Sequence, residues 1–316
     1  MTIIKVNDLL KKYGDFTAVN RVSFEVERGT LLGFLGVNGA GKTTVINMLA
    51  TLLTPDGGSV EICGEILGKG DQEIRQKIGI VYQQNCLDDI LSVKENLICR
   101  GIIHGLSKAE AKKQCMRLCE ILKMGDFINK KYRMLSGGQK RRCEIAAALM
   151  HAPEILFLDE PTTGLDPATR LDVWNTVEDL QKNEKMTVFL TTHYMEEAAG
   201  ADKIIIMDSG KIVTSGTPFE LKEKFAMDKL RLFCKIGKEN EIMIRKNIAG
   251  CANAQCGDIE RSDNGIMEVP VRSTLDAMSI LPFVRDRIDG FEVIQGNMDD
   301  VFLNAVGKEL SGEGVK

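Results

Sequence analysis

The chain has 316 residues, 44% hydrophobic and 27% charged, which provides ample core material and makes two domains the natural expectation. Its 41 basic and 45 acidic residues leave a net charge of −4, so bulk charge gives no reason to expect a nucleic-acid or lipid-surface binder. Nine cysteines with no CxxC pair read as reduced cytosolic thiols and not as a disulfide framework.

From the N-terminus, MTIIKVNDLLKKYG turns polar too quickly for a secretory signal. IIKVNDL, FTAVNRVSFEVERG and TLLGFLG then alternate like a β-meander. A glycine-rich loop, Gly36–Gly41, leads into helical spacing in TTVINMLATLL, and GGSVEICG and KIGIVYQQN predict further short strands. Ser107–Leu122 predicts a helix, with Ser107 and Glu110 spaced as a capping box. After LSGGQ opens another helix, EILFLDEPT is an apolar strand ending in two acids. Pro167–Lys182 predicts a helix, MTVFLTTH a buried strand and KIIIMDSGKIVTSG a terminal hairpin. This alternation predicts an α/β sheet, parallel at its centre. No apolar run approaches the roughly 18 residues that span a membrane.

The character of the chain changes near Gly216–Lys224, which predicts domains at 1–220 and 221–316. LRLFCKIG, GIMEVPVR, helical LDAMSILPFVRDRI, FEVIQG and capped NMDDVFLNAVGKEL predict a small C-terminal α+β domain with a frayed SGEGVK tail. Cys251 and Cys256 raise a metal site there, though scattered thiols explain them better.

Three stretches carry chemistry. GVNGAGKTT fits GxxxxGK[ST] at Gly36, Gly41, Lys42 and Thr43, between an apolar strand and a helix. Its glycines let the backbone wrap β- and γ-phosphates, Lys42 supplies charge, and the Thr43 hydroxyl ligates Mg²⁺. Asn38, Gly39 and Thr44 complete that cradle. In ILFLDE, Asp159 is placed to hold the metal and Glu160 to poise the attacking water; the plain alternative is two acids capping the turn Pro161–Gly164. LSGGQKRRCEIAAALM opens a helix on a second anion-binding turn, yet Lys140, Arg141 and Arg142 oppose the dipole there.

GVNGAGKTT, LSGGQ, ILFLDEPTTGLDP and TTH, in this order, resemble the nucleotide-binding subunits of ABC transporters over Met1–Glu220. The resemblance implies a P-loop NTPase of ABC type with a helical subdomain, and two such domains stacked head to tail. Ser136, Gly137, Gly138 and Gln139 would then face a γ-phosphate bound by the partner. The cations of the next turn would lie near ligand and partner, or equally form a solvated face. By the same resemblance Tyr13 stacks on adenine, and Gln83 senses Mg²⁺ and γ-phosphate while touching the membrane partner. His193 contacts the γ-phosphate, and Asp166 communicates across the dimer.

The C-terminal part is similar to ATPases of bacterial exporters for drugs, antibiotics, sodium or polysaccharides; Val301 and Phe302 fit a core helix face as well. The implied protein hydrolyses ATP with Glu160, His193, Gln83 and Lys42, and holds Mg²⁺ through Thr43, Gln83 and Asp159. It would energise export by a separate transmembrane permease contacted through Asn85–Asn96. It would work as a homodimer, peripheral on the cytoplasmic face of the membrane, without nucleic acid. The alternative is a soluble ABC-type ATPase acting on ribosomes or DNA. One copy of each motif, no heptad run between Thr44 and Leu135, and the acidic balance argue against it. A P-loop kinase or GTPase leaves LSGGQ and the TTH histidine unexplained.

Overall fold

Strand patterning separates the opening strands into two sheets. β1 (Thr2–Tyr13) and β2 (Phe16–Glu27) mix buried and exposed positions and pair antiparallel with several register shifts, whereas β3 (Leu31–Leu35) is buried at every residue. The expected meander therefore stops after two strands. LLGFL has no face to offer water, so it belongs inside a parallel sheet covered on both sides. The computed structural model describes residues 1–234, 238–249, 259–261, 266–271 and 274–307; Cys251, Cys256 and the SGEGVK tail lie outside them.

After β3 come α1 (Lys42–Leu49), β4 (Gly57–Ile62), β5 (Glu65–Ile66), α2 (Asp71–Lys77) and β6 (Ile78–Val81). α3 (Val93–Ile103), α4 (Lys108–Ile121) and α5 (Gly137–Ala148) form the helical subdomain. Each opens on a reciprocal capping box: Ser92 with Glu95, Ser107 with Glu110, Ser136 with Gln139. β7 (Ile155–Asp159), α6 (Pro167–Glu184), β8 (Thr187–Thr192), β9 (Lys203–Asp208) and β10 (Lys211–Gly216) complete this part. The antiparallel sheet runs β2-β1-β4-β5 and the larger one β10-β9-β3-β8-β7-β6, parallel from β9 through β6.

The chain divides into two compact units, Met1–Pro218 and Phe219–Lys316. α7 (Pro218–Phe225) starts at that division, followed by β11 (Asp228–Cys234), α8 (Lys238–Ala249), β12 (Glu260–Arg261) and β13 (Ile266–Val271). α9 (Thr274–Val284), β14 (Ile288–Ile294) and α10 (Met298–Val306) follow. Ile244 and Ile248 of α8 and Ala277 and Ile280 of α9 cover Leu230, Leu232, Met267 and Val269 of the sheet β12-β13-β11-β14. The expected helix over LDAMSILPFVRDRI ends at Val284, near Pro282, which has no N–H to donate.

The first unit's core is built on aromatic packing. Phe189 of β8 touches the rings of Phe24, Phe34 and Phe157 at centroid distances of 6.0, 5.3 and 5.4 Å. Phe189→Ala is expected to destabilise the fold by about 3–5 kcal/mol, measured by urea denaturation; a change within error would remove Phe189 from the core's supports.

Candidate active site

Four parallel strands release their functional residues at one edge of the larger sheet. Leu35 pairs with Thr192, Asp159 with Thr191 and Val81 with Leu158, so β3, β8, β7 and β6 end almost level. Beyond these ends stand the Gly36–Gly41 loop, His193, Glu160 and Gln83. Ligands of parallel α/β sheets bind at such carboxyl ends.

The loop's shape requires glycine where the chain turns into α1. Gly41 has φ +106°, and a Cβ there would sit 2.5 Å from Ala18 O. Lys42, 4% exposed, folds over the loop: its Nζ donates to Gly36 O at 2.8 Å and Val37 O at 3.2 Å. Nζ also lies 3.5 Å from Glu160 Oε1. Burial lowers the Lys42 pKa, opposed by the Glu160 and Asp159 carboxylates.

Asp159 is buried. Its Oδ1 accepts from Thr191 Oγ1 at 2.7 Å and from the exposed Thr43 hydroxyl at 3.3 Å. Glu160 takes a left-handed backbone, φ 45°, which the structure fixes from several sides. Its N–H donates to Thr191 O and Thr191 Oγ1, both at 3.1 Å, and its Oε2 accepts from Thr163 Oγ1 at 3.0 Å. His193 Nδ1 lies 3.1 Å from Glu160 Oε2 without hydrogen-bond geometry, leaving that nitrogen buried and unpartnered.

These residues fit a magnesium nucleotide. One hydroxyl and one carboxylate make a hard-oxygen pair suited to Mg²⁺, which takes few protein ligands and completes its shell with phosphates and water. No group of three or more His, Cys, Asp or Glu capable of holding a metal occurs among the described residues.

Gln83 is exposed just past β6, and Tyr13 is 52% exposed at the end of β1 with the Lys11 amine 5.9 Å from its ring. Among the described contacts, neither Tyr13 nor the Ser136 turn touches the Lys42–Asp159 cluster. Ser136 Oγ accepts from Gln139 N, and Gln139 Oε1 accepts from Ser136 N, so both side chains close the start of α5. Gly138 is confined by α6, where a Cβ would collide with Thr169 Cγ2. Asp166 caps α6 through Thr169.

The three cations after LSGGQ do not act as one face. Lys140 lies 5.2 Å from the Tyr132 ring and Arg142 5.6 Å from the Phe127 ring. Arg141, expected near ligand or solvent, is instead buried and donates to Tyr82 O at 2.5 Å and Asp159 O at 3.3 Å. Two inward carbonyls outweigh the unfavourable dipole.

A sequence-family model described as ABC transporter matches residues 19–163. The chain is 36% identical to the daunorubicin resistance ATP-binding protein DrrA3 of Streptomyces coeruleorubidus, across 98% of this chain and 97% of that protein. The chain belongs to the ATP-binding subunits of ABC transporters. It is 40% identical to the Nod factor export ATP-binding protein I of Ralstonia nicotianae, over 69% of this chain and 68% of that protein. A dimeric ATP-binding cassette in a post-hydrolysis state, bound to ADP and Pi, superposes with a TM-score of 0.61 at 28% identity, covering 68% of this chain and 98% of that one.

The chain is an ABC ATPase, and its sequence motifs leave out several residues that hold this sheet edge in shape. Thr191 binds both Asp159 and Glu160. Glu197 accepts from Thr162 at 2.5 Å and Thr192 at 2.7 Å, joining the turn after β7 to the turn after β8. Arg170 lies 3.9 Å from the Tyr194 ring, which itself packs 4.1 Å from His193. The TTH string marks Thr191 and Thr192; Glu197 and Arg170 carry no local signal. Thr191→Val keeps the shape but leaves Asp159 short of a donor. It is expected to destabilise the fold by about 1–3 kcal/mol, checked by chemical denaturation with an unchanged m-value; unchanged stability would make the hydroxyl dispensable.

Proposed function

We propose that two copies of this chain hydrolyse ATP at two composite sites formed head to tail, and that their closing and reopening drive export through a separate membrane-spanning permease. The observation that carries the reading is the convergence of the Lys42 amine, Thr43 hydroxyl, Asp159 and Glu160 carboxylates and His193 imidazole around one loop. Phosphoryl transfer needs positioning and charge stabilisation more than covalent chemistry, and this set supplies both.

Lys42 and the loop N–H groups neutralise the phosphates. Thr43, Asp159 and Gln83 would hold Mg²⁺, which when bound offsets phosphate charge. Glu160 orients the attacking water and accepts its proton, its carboxylate steadied by Thr163. His193 donates towards the γ-phosphate, a role supported by its place at the end of β8 with its ring beside the Glu160 carboxylate. Tyr13 offers its exposed face to adenine. The Ser136–Gln139 turn offers the N–H groups of α5 to the partner's nucleotide.

The named export and resistance functions of the relatives support an exporter, and the dimeric ADP-bound cassette supports paired subunits. No helix among the described residues is long and apolar enough to cross a membrane. The relatives' names as resistance and export ATP-binding proteins support a place at the cytoplasmic face, held by a permease. The permease contact is assigned to 85–96 and to the adjoining cavity of about 230 Å³ lined by Leu52, Tyr82, Cys86, Arg100, His104 and His151.

Glu160→Gln is expected to lower kcat by about 10²–10⁴-fold while ATP binding persists and a dimer accumulates with ATP. Turnover near the wild-type rate would remove Glu160 from the chemistry. Ser136→Arg should bind ATP as a monomer yet hydrolyse it poorly, because closure is blocked. Mixed with Lys42→Ala subunits it should regain activity, since each mixed dimer keeps one site with neither defect. Failure of the Ser136→Arg monomer to bind ATP would place both anion cradles on one nucleotide and end the head-to-tail reading.

A further inference from the structure

The buried charges beside the site that hydrolysis does not use lie on one face of α5. Arg141 and Glu144, one turn apart, are 5% and 6% exposed. Arg141 donates to the carbonyls of Tyr82 and Asp159, the residues immediately before Gln83 and Glu160. Glu144 Oε1 accepts from Cys86 N at 2.9 Å and Leu87 N at 3.1 Å, and from Tyr132 Oη at 2.7 Å. The helix opened by the Ser136 turn is thus fastened to the Gln83 loop on both sides of the glutamine and to the peptide that carries Glu160.

Stability does not account for an arginine here. Its guanidinium donates to two neutral carbonyls, its Nε has no hydrogen-bond partner, and burial pulls its pKa down to about 10 although the Glu144 and Asp159 carboxylates oppose that shift. A buried ion pair is weak evidence for stability, because an apolar pair of similar volume often does as well, although removing Arg141 alone would strand Glu144. What only the two-pronged donor achieves is a fixed spacing between two loops. The peptide between Asp159 and Glu160 is held by Arg141 at its carbonyl and by Thr191 at its N–H, and this peptide leads into the left-handed turn at Glu160.

We propose that Arg141 is a positioning residue for hydrolysis: by binding the Tyr82 and Asp159 carbonyls to the signature helix, it makes the placement of Gln83 and Glu160 follow the position of that helix. Engagement of a partner's nucleotide by the Ser136 turn then sets both loops at once. The inference rests on the roles proposed above for Glu160 and Gln83.

The test compares the full-length wild type with R141M, R141K, E160Q and, as a surface control, R117M, which breaks the pair with Glu184. Steady-state ATPase kinetics, binding of a fluorescent ATP analogue and thermal melting are read together. Misplacement of a reacting group by about 1 Å can cost about 10²-fold in rate, so R141M should lose kcat on that scale. Its KM and nucleotide affinity should stay near wild type, its melting temperature should fall modestly because two inward carbonyls lose their donor, and the Mg²⁺ needed for half-maximal rate should rise. R141K, with one prong instead of a fork, should fall between R141M and wild type, and R117M should match wild type. Wild-type kcat in R141M, or only a lower melting temperature, overturns the proposal. If R141M does not accumulate folded, R141K decides: wild-type kcat and Mg²⁺ dependence overturn it. An active E160Q overturns the reading of Glu160 and this inference with it, whereas an inactive E160Q beside a fully active R141M overturns this inference alone.

Discussion

A lysine ammonium with 4% of its surface exposed, set between two loop carbonyls and a glutamate, is the constraint around which the site is built. Taking a cation out of water is tolerated only where negative or strongly polar groups surround it. Lys42 therefore fixes three things at once: the curl of the Gly36–Gly41 loop, the end of β7, and the side on which Glu160 points. Nothing in the loop's composition alone demands that arrangement. It follows from level strand ends in a parallel sheet, because β3 and β7 flank β8 and present their loops to the same space.

The glutamate is held against its own backbone preference. A non-glycine residue in the left-handed region costs of order 1–3 kcal/mol and persists only where its surroundings over-determine it. Thr191, Thr163, Lys42 and the Asp159 peptide do so here, with Arg141 behind that peptide. The same hydrogen bonds connect the site to α5 and to the loop after β6. Energy stored at Glu160 is thus tied to the elements that a second subunit and a membrane partner are proposed to touch. Glu197 extends the connection from Thr162 to Thr192, so that the turns carrying Glu160 and His193 share a support.

Residues whose chemistry is set by local chain shape are legible in the amino-acid order itself. Gly41 is needed for its φ, Lys42 and Thr43 follow at fixed offsets, and an apolar run ending in Asp159-Glu160 marks a buried strand meeting a polar edge. Full burial of LLGFL is equally visible in its composition, yet it reads as part of a meander because period-2 logic does not say which sheet a strand joins. Arg141 and Glu144 are hidden for the opposite reason. In KRRCEIAAA their charges look like a helix surface, and only the packing of α5 against Tyr82 and Asp159 turns them inward. The second unit is legible as α+β from strand alternation and the Asn297 cap, while the end of α9 depends on Pro282.

The central claim is that Lys42, Thr43, Asp159 and Glu160 converge on one nucleotide that a second subunit closes over. The most direct measurement is a structure of the Glu160→Gln chain with MgATP. The account predicts a head-to-tail dimer in which Lys42 contacts phosphate, Thr43 and Asp159 face the metal, and the partner's Ser136 turn covers the γ-phosphate. A nucleotide bound away from Lys42, or sites completed within a single chain, would contradict it.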